Sequence, residues 1–425
     1  MVITRPKKTQ DQVQKEARVA FRKADRFGTV AACTGSGKTK IAVDESAEVV
    51  LENPSARILI VVPTQKLRDE NWLDEYTQWG HKEIYENNTT RCCYVSLAKF
   101  VNQKWDLVVL DEGHHITVAS LEFFENNDVE SLLVLTATFP KKGEKKEILE
   151  AIAPSCYVYT LAEGVYDGII DPFEVHVIFT ELNARSKTVK GGNKNKVFYQ
   201  TEFSAYNYIE TQYNKLKGAY FTANDDWRAT KIKHRCFPDQ VTQEELVKVQ
   251  KAKDNSFFVW QRYIGIRTRF IKGLKSKTDA GKAILNRFKV DSERWIVFCG
   301  SIEQTAELCG ESVYHSKLKD KVKDANYAAF KNEEVSILGA VDAINEGHNI
   351  PNIDHILAAQ INAQELNIIQ RTGRAVRKKK NRVNRTAIVR IICCRDTPDQ
   401  GWVESALENF DDSIISYHEF DEYIL

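Results

Sequence analysis

The run Ala32-Cys33-Thr34-Gly35-Ser36-Gly37-Lys38-Thr39 has the residue types that binding a phosphate requires. Small residues let successive backbone N–H groups converge on phosphate oxygens, and a helix opening at the end of the run adds the partial positive charge of its N-terminus. Thr34, Gly35, Ser36 and Gly37 supply that backbone, Lys38 reaches the β- and γ-phosphates, and the Thr39 hydroxyl can ligate magnesium. Ala32 stands where the general pattern has its first glycine. A second constellation, Leu110-Asp111-Glu112-Gly113-His114-His115, follows the apolar run LVVL, 73 residues after Lys38. A carboxylate at the C-terminal end of a parallel strand faces the ligand crevice of an open α/β sheet. Asp111 is suited to hold the metal and Glu112 to polarise an attacking water. Alone, an Asp-Glu pair after a strand is more often a helix cap; the glycine-rich loop upstream gives it chemical meaning.

These residues need a scaffold that presents strand ends side by side. Residues 27–33 form a short apolar run that stops at the glycine-rich turn, and 38–51 have helical spacing. RILIVV at 57–62 reads as a buried parallel strand and 65–79 as a helix, with further short strands at 92–95, 107–110 and 132–135. Continuous apolar strands separated by helices predict an α/β fold with a doubly wound parallel sheet, covered on both faces. The alternation breaks near residue 183. Residues 183–200 (NARSKTVKGGNKNKVFYQ) are polar, a long loop or a hairpin, and 203–289 are helical in pattern, interrupted around 222–238. Strand patterns return at 295–299, 335–340, 355–359 and 386–394. The expected organisation is a first lobe over 1–182, a helical and loop-rich middle over 183–290, and a second lobe over 291–425 ending in an acidic segment.

A chain of 425 residues with 43% hydrophobic and 28% charged residues fits a folded protein of two or three domains and argues against disorder. No apolar run reaches the roughly 20 residues of a membrane helix, and MVITRPKKTQDQVQ lacks the apolar stretch of a secretion signal, so a cytosolic location is expected. The nine cysteines form no CxxC pair and no zinc-like cluster, which predicts reduced, buried thiols. Net charge is +1, so any grip on a polyanion depends on local charge. From 371 to 382 there are seven Lys or Arg and no acid, whereas after Arg395 there is no Lys or Arg at all. Segregated charge can form a basic groove or two solvated faces of opposite sign.

The ordered motifs resemble those of superfamily 2 helicases over about residues 10 to 380. DEGHH is similar to the DEAD/DEAH box, and Thr136-Ala137-Thr138 to motif III, which implies that Thr136 and Thr138 couple hydrolysis to lobe movement. Pro63-Thr64-Gln65-Lys66-Leu67-Arg68 resembles motif Ia and Val95-Ser96-Leu97 motif Ib, which implies backbone contacts to a nucleic acid strand by Pro63, Thr64, Gln65, Lys66, Arg68 and Ser96. Residues 296–300 resemble motif IV, and 343–351, including Gly347 at the ATP site, resemble motif V. Gln370-Arg371-Thr372-Gly373-Arg374-Ala375-Val376-Arg377 matches motif VI almost letter for letter. The resemblance implies two RecA-like lobes with ATP and Mg2+ between them, Arg374 and Arg377 as arginine fingers, and Gln370 positioning them. A guanidinium suits that task because phosphoryl transfer spreads negative charge over the γ-phosphate oxygens. Relatives also carry an upstream glutamine that reads adenine; Gln10, Gln12 and Gln14 are the candidates, and Gln14 has the best distance to the loop.

Two middle segments could grip a strand. RYIGIRTRFIKGLKSK at 262–277 interleaves basic residues, Arg267 and Arg269 among them, with Tyr263 and Phe270, which suits phosphate neutralisation plus stacking or equally a solvated basic helix face. The stretch 187–196 reads as a strand-separating hairpin or an ordinary loop. The compact size and the form of motif Ia are similar to phage-encoded recombination and repair helicases, which implies forked, branched or single-stranded DNA as partner. An RNA helicase and an ATP-gated clamp that does not unwind are the alternatives.

Overall fold

The computed structural model describes residues 5–33, 35–65, 67–137, 139–140, 143–170, 172–193, 196–341, 353–360, 386–407, 410 and 412–425. The first lobe is built on a sheet of β1 (Phe27–Ala32), β2 (Ile58–Val62), β3 (Thr89–Cys93), β5 (Leu107–Asp111), β7 (Leu132–Thr136) and β8 (Ser155–Tyr159); β4 (Lys104–Trp105) and β6 (Asp128–Val129) form a separate short pair. The order is β3-β2-β5-β7-β1-β8 and every neighbouring pair is parallel. All five positions of β2, β5 and β7 are buried, because helices cover both faces and leave no wet side for polar residues. The strand period of two then divides the apolar side chains. Ile58, Ile60, Leu107, Val109 and Leu133 pack with the helices Gln10–Lys23 (α1) and Lys38–Glu52 (α2), whereas Leu59, Val61, Val108, Leu110 and Leu132 pack with Phe123 and Leu149 on the other face.

The second sheet begins earlier than the sequence suggested. β9 (Phe173–Thr180) lies inside the span expected for the first lobe, yet it pairs along its whole length with β16 (Ala387–Cys394), from Phe173 opposite Ala387 to Thr180 opposite Cys394. Phe173, Val175 and Val177 belong to the second lobe's core. By sheet membership the crossover therefore precedes residue 173, not 182. The other strands are β12 (Trp295–Phe298), β13 (Val313–His315), β14 (Ile337–Val341), β15 (His355–Ala358) and β17 (Ile415–Glu419), in the order β13-β14-β12-β15-β16-β9-β17, all parallel.

Between β9 and β12 the chain makes an antiparallel hairpin, β10 (Val189–Asn193) with β11 (Lys196–Gln200), and then two long helices, Glu202–Cys236 and Gln243–Lys272. The helical break expected around 222–238 falls instead at 237–242, and the first helix runs through Thr222 without interruption. Along the pair Glu210 meets Arg267, Tyr220 stacks on Trp260 at 5.2 Å, and His234 meets Gln243, the progression of an antiparallel arm. At 1.5 Å per residue its first helix is about 50 Å long. Only Glu202, Ala205, Tyr206 and Ile271 are buried, so the arm touches a core at its base alone. No helix among the described residues is long and apolar enough to cross a membrane.

The arm revises the basic segment 262–277. Arg267 makes two 2.6 Å hydrogen bonds to Glu210 and sits 4.3 Å over the Tyr213 ring, so its charge holds the helices together. Lys277, in the helix Lys275–Phe288, is completely buried, 2.6 Å from Asp399 and 3.0 Å from Gln360. Arg269 remains exposed. A buried ion pair tolerates loss of both charges better than loss of one, because the survivor must keep its charge in a low dielectric. Lys277→Met should cost about 3–5 kcal/mol of second-lobe stability, and Lys277→Met with Asp399→Asn should recover most of it. Denaturant unfolding checks this; a single variant as stable as the parent would contradict it.

Candidate nucleotide site

The phosphate loop follows β1, and its backbone takes two left-handed turns, at Gly35 (φ +86°) and Gly37 (φ +84°), that side chains resist. At Gly37 a Cβ would also lie 2.1 Å from Gln14 Nε2. The loop is tied from within: Ser36 Oγ donates to Cys33 O at 2.7 Å, and Lys38 Nζ, 3% exposed, donates to Ala32 O at 2.9 Å. Burial pushes the Cys33 thiol up to about 12, with Lys38 pulling the other way, so the loop carries a neutral thiol at physiological pH.

Helix α1 braces the loop from outside. Thr9 caps it, and Gln12 closes the capping box by accepting from Thr9 N at 2.8 Å, which occupies Gln12 at the exposed helix start. Gln10 and Gln14, one turn apart on one face, reach the loop: Gln10 Nε2 donates to Gly35 O at 2.9 Å and Gln14 Nε2 to Ser36 O at 3.1 Å. Gln14 is 4% exposed, and its Oε1 is buried with no hydrogen-bond partner. An unsatisfied buried acceptor costs about 1–3 kcal/mol, so it marks a place where a ligand N–H would be welcome. The Thr-x-x-Gln signature at Thr9–Gln12 was the sequence signal that could have set Gln12 aside.

Asp111 ends β5, level with Leu135 of β7, while Thr136 at the end of β7 is level with Ala31 of β1. One strand separates β1 from β5, so the two chemical strand ends are about 10 Å apart on one edge. Asp111 is buried and held by Trp72 Nε1 at 3.2 Å on Oδ2 and by Glu112 N at 3.0 Å on Oδ1, while Tyr94 OH donates to its carbonyl at 2.9 Å. Nothing in the sequence singled out Trp72 or Tyr94. Glu112 is buried with φ +51°, an uncommon state for a residue with a side chain, and its carboxylate lies 3.6 Å from His114 Nδ1. Gly113 is required here because a Cβ would be 2.2 Å from Val134 Cγ1.

Pro63, Thr64 and Gln65 follow β2, and Ser96 lies in the turn Tyr94–Lys99 after β3, so both expected strand-contact motifs leave the same edge. Thr64 caps the next turn through Leu67 N at 3.4 Å, and Arg68 is paired with its neighbour Asp69 at 2.7 Å. Thr39 opens α2 beside Lys38. Thr34, Lys66, Thr138, Gly347, Gln370, Arg374 and Arg377 lie outside the described residues.

This edge chemistry on two parallel-sheet lobes is that of a phosphate-loop NTPase. Residues 3–141 match the type III restriction enzyme res subunit, and residues 276–379 match the helicase conserved C-terminal domain. The solved structure of the ATP-dependent type ISP restriction-modification enzyme LlaBIII bound to DNA is similar at 13% identity and a TM-score of 0.56, over 98% of this chain and 32% of that one. Dbp5 of S. cerevisiae bound to RNA and ADP BeF3 is similar at 13% identity and a TM-score of 0.52, over 99% of this chain and 91% of that one. This chain thus spans about a third of the LlaBIII chain. Both likenesses show the fold, two RecA-like lobes. No curated protein matches the sequence. The two matched domains, in this order on these lobes, support a superfamily 2 helicase, and helicase domains imply hydrolysis of ATP.

Gly37→Ala should weaken nucleotide binding at least about tenfold, because it strains a left-handed position and pushes Gln14 off the loop. Titration with a fluorescent ATP analogue measures this, with circular dichroism as the folding control; unchanged affinity would contradict the bracing role.

Proposed function

We propose that the chain is an ATP-dependent DNA helicase or translocase. The observation that carries this reading is the convergence of the phosphate loop and Asp111-Glu112 on one edge of the first sheet, beside the unpartnered Gln14 Oε1. Adenine fits that acceptor, since its exocyclic amine donates where guanine presents a carbonyl. The loop backbone and Lys38 bind the phosphates, and Glu112 orients and deprotonates the attacking water. Magnesium, held by Thr39 and Asp111, would draw charge from the phosphate oxygens. Arg374 and Arg377, placed by Gln370, approach from the second lobe, and Gly347 contributes to the nucleotide site. Thr136 and Thr138 transmit the state of the site, and Pro63, Thr64, Gln65, Lys66, Arg68, Ser96 and Arg269 contact the strand.

DNA is the preferred substrate because the first lobe matches a restriction-enzyme subunit and the motif III and DEGH forms lean away from DEAD-box RNA enzymes. Forked or branched DNA, and a role in recombination, repair or replication, belong to the same proposal. The likeness to Dbp5, whose structure holds RNA, favours an RNA helicase as the second reading.

Lys38→Ala should abolish ATP hydrolysis, and Glu112→Gln should stop turnover while retaining ATP. Either variant hydrolysing at the parental rate would overturn the site. Arg374→Ala and Arg377→Ala should each lower turnover by roughly 10³-fold with little change in nucleotide affinity. Strand displacement on matched DNA and RNA forks decides the substrate: displacement of RNA alone selects the second reading, and nucleic acid binding without displacement selects a clamp.

A further inference from the structure

We infer that the β10–β11 ribbon is a contact for single-stranded nucleic acid, a reading that rests on the nucleic acid motor proposed above. From 183 to 200 the chain carries Arg185, Lys187, Lys190, Lys194 and Lys196 and no acidic residue, so its charge complements a phosphate backbone. The ribbon is also aromatic where a small exposed hairpin would be expected to be polar: Phe198 is 47% and Tyr199 57% exposed. The register distributes these groups over both faces. Tyr199 stands opposite Lys190 on one face. Phe198 lies opposite Gly191 on the other, where a Cβ on Gly191 would be 2.7 Å from the Phe198 ring. Tyr199 beside Lys190 can stack a base and neutralise a phosphate together, and Phe198 offers a second ring on the other face. A base pair inside a duplex offers no free ring face, so the aromatics select unpaired nucleotides.

The ribbon is fixed where it must be if it is to meet a strand. Glu202, 1% exposed, accepts from Asn183 N at one oxygen and from Ser276 N at the other, both at 3.0 Å. Phe203 N donates to Asn183 O at 3.2 Å. The two ends of the hairpin are thereby clamped to each other and to the helix Lys275–Phe288. An isolated two-stranded ribbon is marginally stable in water, and this clamp supplies what its own pairing lacks. It leaves the second sheet just after Thr180, on the edge where β16 ends at Cys394.

The test uses the full chain, with labelled oligothymidine, oligouridine and a blunt DNA duplex as probes. Phe198→Ala with Tyr199→Ala should weaken binding of the single strands about tenfold or more, and leave duplex affinity and ATP hydrolysis without nucleic acid unchanged. Tyr199→Phe should bind like the parent. Lys187→Gln with Lys190→Gln should reduce the log–log salt slope by about 0.7 per lost contact. Photocrosslinks from a 5-iodouracil strand should map to the peptide carrying Phe198 and Tyr199. Parental single-strand affinity in the double aromatic variant, crosslinks confined to other peptides, or loss of self-association in place of strand binding would each overturn the inference. Failure of the parent to bind any nucleic acid would remove the proposed function together with it.

Discussion

A parallel sheet must end all its strands on one edge, and the candidate chemistry of this protein depends on that constraint. Hydrogen-bond register holds Ala31, Thr136, Leu135 and Asp111 in step across three adjacent strands, although they are far apart in sequence. Helices on both faces are the condition for such a sheet, and they do more than bury it. Helix α1 packs Val13, Ala17 and Phe21 into the core and, with the same face, aims Gln10 and Gln14 at the phosphate loop. The helix Trp72–Gln78 likewise buries Trp72 while its indole N–H fixes Asp111. Packing and site geometry are therefore one set of contacts in the first lobe.

The second lobe repeats the constraint with a different device at its edge. Lys277, Asp399 and Gln360 join the helix Lys275–Phe288, the helix Pro398–Leu407 and the end of β15 in one fully buried cluster. Asp399 also accepts from Cys394 N at 2.8 Å, so the end of β16 is fixed as well. A buried pair of this kind contributes little net stability over an apolar substitute, but it admits only one geometry. The arm extends from the same region, its base in the core and its length held by Tyr220 on Trp260 and Arg267 on Glu210.

What the sequence disclosed followed from how local each signal was. The strand–turn–helix setting of Gly35–Thr39, the strand-end position of Asp111 and the buried strands were legible because they are written in consecutive residues. The sheet that receives Phe173–Thr180 was not, since an apolar strand run has no mark of its neighbours. Lys277 and Arg267 read as a basic grip because composition does not reveal that Asp399 lies 122 and Glu210 57 residues away in sequence but within hydrogen-bond distance. Gln12 is consumed by the helix cap, whereas Gln14 is buried against the phosphate loop, a difference set by the tertiary packing of the helix. The contacts of Trp72 and Tyr94 with Asp111 are tertiary and leave no pattern along the chain.

The proposed function couples hydrolysis at the first sheet's edge to a nucleic acid strand. The most direct test is the steady-state rate of ATP hydrolysis by the full chain, with magnesium, as single-stranded DNA is titrated in at fixed salt. A low rate without DNA should rise about tenfold or more to saturation as the strand completes the catalytic arrangement. A rate that stays the same at every concentration of DNA and of a matched RNA would contradict it.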